Sequence, residues 1–186
     1  MSPLVLDILG DRTGTAPVAG EAVQVAEILT FHRLGGLGCT WATRAGEVGR
    51  ELAEALEPIY RRQQLAGAVV QESAARALEA LESAEIPALM FKGAALVSAG
   101  LYADTGERPM DDADLLVPQD RAYEASSVLA NAGFSPWAPW QPGRDGWSDS
   151  FTLRDTEAPP ALACDIDLHW RTEGVFRLRH FSIPEW

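Results

Sequence analysis

Arg108-Pro-Met-Asp-Asp-Ala-Asp-Leu-Leu-Val117 sets two carboxylates two residues apart at the head of an apolar run. The run predicts a buried strand over about Asp112–Val117, closed by Pro118. Side chains alternate along a strand, so Asp112 and Asp114 point the same way. Like charges held side by side repel and are costly to bury. A hard divalent cation, which takes several oxygen ligands, is the usual reason to tolerate such a pair. Metal-assisted phosphoryl chemistry is therefore the first hypothesis.

Working outward, the strand sits in an alternating pattern. Ile86–Phe91 reads as a short apolar strand, followed by Lys92-Gly93 and a helix from Ala94 to near Gly100. After Val117, Gln119–Ala132 reads as a helix stopped by Gly133. Ser150–Arg154 and Ala161–Trp170 read as two further strands, beyond a Trp/Pro/Gly-rich loop at Pro136–Gly146. The half before Ile86 is helical. Glu21–Arg33 has helical spacing, and Gly35-Gly36-Leu37-Gly38 is expected to break it. Glu47–Glu57 is a short helix, and Pro58 opens another that runs to about Ser83. The expected fold is α/β: an N-terminal helical segment, then a small mixed sheet flanked by helices. The units expected are a loosely ordered 1–20, a helical segment 21–84 and a core 85–186.

An acid-x-acid spacing needs context to count, because so acidic a chain would produce roughly four such pairs by chance. Asp155/Glu157 lies in a polar turn and reads as a solvated pair. Asp165/Asp167 lies on a strand, Cys164-Asp-Ile-Asp-Leu-His-Trp170. Alternation gives one face to Ile166, Leu168 and Trp170 and the other to Asp165, Asp167 and His169. If this strand neighbours the first, three carboxylates can converge into a site for two Mg²⁺ (or Mn²⁺) ions that clamp the attacking and leaving oxygens of an in-line displacement, and the third can take the proton of an attacking hydroxyl. Asp165 competes with Asp167 for that place. His169 can orient a carboxylate, touch phosphate or serve a structural bond, and Arg108 reads as an ion-pair partner of Asp112 ahead of a triphosphate contact. Lys92-Gly93 lies between strand and helix, where backbone N–H groups and the helix dipole favour phosphate. Lys92 is also the sole lysine.

The 186 residues carry a formal net charge of -12. Such a surface disfavours unaided binding to nucleic acid backbones or anionic membranes. No secretory leader or membrane-spanning stretch stands out, and the expected location is cytoplasmic. Cys39 and Cys164 are expected as unlinked core thiols. Trp137, Trp140 and Trp147 can stack on a base or acceptor, or pack against a partner protein.

Leu89-Met-Phe-Lys-Gly-Ala-Ala-Leu96, the Arg108–Val117 stretch and Asp167-Leu-His-Trp-Arg171 together resemble the three signature segments of the uncharacterised nucleotidyltransferase family. That family is a bacterial branch of the polymerase β-like superfamily. The likeness covers about residues 50 to 171. It implies that Asp112, Asp114 and Asp167 are the metal and catalytic carboxylates and that Lys92 and Gly93 face the triphosphate of an NTP. It implies transfer of a nucleoside monophosphate to a hydroxyl acceptor. Ala94 replaces the serine or glycine that usually follows the turn glycine in the wider superfamily. Relatives usually continue past the His-Trp segment into a helical region that is expected to be absent here. The alternative from another class is a catalytically silent binding or regulatory subunit.

Overall fold

The computed structural model describes residues 21–137, 150–162 and 164–170. Its described elements are five α-helices and one five-stranded mixed sheet. Helices α1 (Ala22–Phe31), α2 (Gly35–Arg44) and α3 (Arg50–Ser83) come first. Strand β1 (Leu89–Phe91), helix α4 (Lys92–Ser98), strand β2 (Asp112–Leu116) and helix α5 (Ala122–Asn131) follow. Strands β3 (Phe134–Pro136), β4 (Ser150–Asp155) and β5 (Asp165–His169) complete the sheet. The strand order is β1-β2-β5-β4-β3, with β2 and β5 parallel and every other pair antiparallel. The α/β reading therefore holds, with helices leading into a small mixed sheet. Most of the Trp/Pro/Gly-rich loop, and residues 1–20, lie outside the described residues.

Two apolar clusters hold these elements. Ala113 and Leu115 of β2, Leu153 of β4 and Ile166 and Leu168 of β5 line one face of the sheet. They pack with Val70, Ala74, Ala77 and Leu81 of α3 and Ala125 and Leu129 of α5. The second cluster joins Val25 and Leu29 of α1, Trp41 and Ala42 of α2, and Leu52 and Leu56 of α3. Each fully buried Leu or Ile contributes roughly 1.5–3 kcal/mol. The two thiols are free and fall in different clusters, Cys39 among the helices and Cys164 under the sheet. Burial pushes the Cys164 thiol up to about 11.

Three expectations need correction. Pro58 does not open a new helix, because α3 runs through it from Arg50. Pro58 is solvent-exposed, so water can reach the carbonyl that loses its donor. Leu52 and Leu56 before it, and Ile59 and Tyr60 after it, pack into one cluster, so the same apolar contacts hold the helix on both sides of the proline. The break after α1 falls at His32–Leu34, where Arg33 has φ 58°, and Gly35, Gly36 and Gly38 do not break the chain but build α2. They are buried, and Gly38 lies where a Cβ would meet Leu29 at 2.6 Å and Leu56 at 3.1 Å. Asp155 is buried rather than solvated. Its carboxylate accepts hydrogen bonds from Ser73 Oγ at 2.5 Å, Arg76 Nη2 at 2.8 Å and the Glu157 N–H at 2.9 Å. These bonds pin the end of β4 to α3.

The segment that leads into β2 is seated on the helices by close contacts. Tyr60 donates to Asp104 at 2.5 Å, Thr105 donates to the Gln64 carbonyl at 2.8 Å, and Arg33 pairs with Asp111 at 2.8 Å. A Cβ on Gly36 would lie 1.8 Å from the Gly106 carbonyl oxygen, and one on Gly67 would lie 2.5 Å from Thr105 Cβ. Propensity alone would make Gly36→Ala stabilising by about 1 kcal/mol. The clash is with backbone and reverses the sign, so Gly36→Ala is expected to destabilise by about 1–3 kcal/mol in urea unfolding.

Asp155 supplies an acid-sensitive tie. Burial alone would raise its carboxyl, but the bonds from Ser73, the Glu157 N–H and Arg76 hold it below the usual carboxylate range. A carboxyl depressed in the native state contributes stability above its unfolded value of about 3.9, and loses it as pH falls through the native value. Asp155→Asn is expected to lower stability at neutral pH and to flatten the acid limb below about pH 4, read by melts across a pH series.

Candidate functional site

The sheet face opposite the core carries the acidic residues. Parallel pairing sets Asp112 opposite Asp165, Asp114 opposite Asp167 and Leu116 opposite His169. Across the neighbouring strands, Phe91 stands opposite Asp114 and Thr152 opposite Asp167. The Trp137 N–H extends this row by donating to the Thr152 carbonyl at 3.2 Å. One line across the sheet thus reads Phe91, Asp114, Asp167, Thr152, Trp137. An open cleft of about 450 Å³ is lined by Asp111, Asp112, Trp137, Thr152, Asp165 and Asp167.

Asp114 is the buried member of the pair. Its Oδ1 accepts from Lys92 Nζ at 2.6 Å and lies 2.9 Å from His169 Nε2. Burial would raise its carboxyl, but the bonds to His169 and Lys92 and the Lys92 charge hold it below the usual range. An ionised Asp114 can only accept, so Nε2 of His169 carries the proton. Nδ1 is buried with no partner among the described residues. The imidazole is almost fully buried and meets the Phe91 ring edge-on at 5.1 Å. Lys92 itself has φ 56°, a left-handed value uncommon outside glycine that often marks functional sites.

Asp112 lies at the exposed start of β2. Its carboxyl is raised by partial burial first, then by the charges of Asp114 and Asp167, and Lys92 offsets this only in part. Asp167 is half-buried and accepts from Thr152 Oγ1 at 2.6 Å. Asp165 is engaged elsewhere, pairing with Arg154 at 3.0 Å and accepting from Trp137 Nε1 at 3.1 Å. The two acids of β5 therefore differ: Asp165 is neutralised and Asp167 has only a hydroxyl. Asp114, Asp167 and His169 offer one ligand atom each, all within 4.8 Å of one another.

Gly93 is the second residue of α4 and is buried, with Met110 Cγ 3.2 Å from where its Cβ would lie. The Arg108 guanidinium donates to the Pro109 carbonyl at 3.1 Å and pairs with no carboxylate among the described residues. Thr152 escaped the reading of the sequence. Its signal was the alternation of Thr152 and Arg154 with Leu153 on a strand beside the Asp167 strand.

The profile of the uncharacterised nucleotidyltransferase family matches residues 21–182. The chain belongs to this family. The match takes in α1 and α2 as well as the motif-bearing sheet. No curated protein matches the chain significantly. No helix among the described residues is long and apolar enough to cross a membrane.

The charge at Asp112, offset only in part by Lys92, costs native stability. A carboxyl raised in the folded state weakens folding once pH exceeds its unfolded value. In chelator at neutral pH, Asp112→Asn is therefore expected to melt above the wild type. The gap should close as pH falls into the carboxylate range.

Proposed function

We propose that this nucleotidyltransferase moves a nucleoside monophosphate from an NTP, with Mg²⁺ or Mn²⁺, to a hydroxyl acceptor. The observation that carries this reading is the in-register placement of Asp114 and Asp167 on adjacent parallel strands, with Asp112 two residues before Asp114 on the same face. The donor set fits a hard divalent cation, since it is oxygen-rich and leaves Asp112 under repulsion from its neighbours. Asp112, Asp114 and Asp167 would hold it. When bound, the ion would supply charge stabilisation for an in-line displacement at phosphorus.

The chain's own groups divide the remaining work. Asp167 takes the proton of the acceptor hydroxyl as its oxygen bonds to the α-phosphorus and the bond to pyrophosphate breaks. Thr152 orients Asp167 through its hydroxyl bond. His169 and Lys92 converge on Oδ1 of Asp114 and hold that carboxylate in place. Lys92 and Gly93, at the start of α4, face the triphosphate, and Lys92 links that side to Asp114. The helical segment 21–84 serves as a scaffold that seats the lead-in to β2, while 85–186 carries the chemistry. A cytoplasmic setting, with its supply of NTP and Mg²⁺, suits this activity.

Calorimetry with Mg²⁺ or Mn²⁺ and each of ATP, GTP, CTP and UTP tests the reading. At least one nucleotide is expected to bind only with metal, and Asp112→Ala/Asp114→Ala is expected to weaken it 100-fold or more. Turnover should release pyrophosphate, whereas phosphate release would indicate a hydrolase. Absence of nucleotide binding by the folded protein would replace the enzyme with a silent binding or regulatory member of the family.

A further inference from the structure

We propose that Trp137 is the stacking platform of the acceptor subsite and that the acceptor carries its hydroxyl on a ring. The inference rests on the transfer reading above and deepens it by assigning the acceptor a place and a class. In an in-line displacement the attacking and leaving oxygens lie on opposite sides of phosphorus. Lys92 and Gly93, on the β1 side of Asp114, mark the side where pyrophosphate leaves. The attacking hydroxyl then arrives from the other side, over β5 and β4. The residues met there, in the same row as Asp114, are Asp167, Thr152 and Trp137.

Trp137 is exposed, yet it is fixed at both ends. Its backbone N–H bonds Thr152, its Nε1 donates to Asp165, and the Arg154 guanidinium lies 4.4 Å from the ring centroid. Arg154 is itself held by Asp165. A large aromatic surface oriented in this way at the mouth of a cleft binds a flat partner at low entropic cost. Two strand spacings separate Asp167 from Trp137, about 10 Å. The indole closes most of that span, because its Nε1 reaches Asp165 on β5 at 3.1 Å, so a ring stacked on it can place a substituent hydroxyl near Asp167.

The test compares ring-borne with chain-borne hydroxyls. Methyl β-glucoside and N-acetyl-tyrosinamide represent the sugar and aromatic sources of the ring, and glycerol and N-acetyl-serinamide are the chain controls. Each is titrated by NMR against the full chain, with and without Mg²⁺ and the nucleotide that binds most tightly. At least one ring probe should bind tenfold or more tightly than the chain probes. Trp137→Ala should weaken that probe tenfold or more while nucleotide affinity stays within twofold, and Trp137→Phe should restore most of the loss. Equal binding of ring and chain probes, or a Trp137→Ala protein that keeps the ring probe, would overturn the assignment. So would a Trp137→Ala protein that loses nucleotide instead, since the base would then occupy the ring. Failure of the wild type to bind any Mg·NTP overturns the transfer reading separately, because the probe arm without nucleotide still reads the subsite.

Discussion

The pairing of β2 with β5 in parallel register is the constraint on which the rest of the site depends. It sets Asp114 directly beside Asp167 on the central strands, with a buried core on the opposite face. A shift of one residue would turn Ala113 and Leu115, or Ile166 and Leu168, toward solvent and the acids into the core. The apolar packing under the sheet therefore enforces an electrostatically unfavourable arrangement above it. Part of that cost is offset locally, where Lys92 and His169 both serve Asp114. The remainder is left at Asp112, the outermost of the three acids.

Compensation within this face is uneven. Asp165 is tied to Arg154 and Trp137, Asp111 to Arg33, and Asp114 to Lys92 and His169. Asp112 and Asp167 have no ion-pair partner among the described residues. The two under-compensated carboxylates both line the open cleft, and both lie on the side of Asp114 that faces β4 or solvent. The unpaired charges thus stand at two diagonal positions of the β2–β5 ladder, while neighbouring acids of the same type are tied into the fold.

Much of this was legible in the sequence because it follows from period-two alternation. The faces of Asp165-Ile-Asp-Leu-His169, the strand at Asp112 and the stop at Gly133 need only local pattern. Which strands are neighbours is not local. The sequence could pose the meeting of β2 and β5 only as a condition, and the partners of Asp165 belong to β4 and to Trp137 across a long excursion. The misreadings have the same root. Pro58 and the glycines of α2 carry strong local signals for breaks, and tertiary burial overrode both. Asp155 looked solvated because Ser73 and Arg76, its partners, lie about 80 residues earlier on a helix.

Helix α3 has a further consequence. Its first half completes the cluster formed with α1 and α2, and its second half covers the apolar face of the sheet. A rod of 34 residues, about 51 Å long, is therefore shared property of two hydrophobic cores. Neither core is closed without it, and melting one end strips the backbone support from the other. Folding of the two halves is coupled mechanically through this rod, so the protein should respond to stress as one cooperative body, with perturbations among the N-terminal helices felt at the acidic strands.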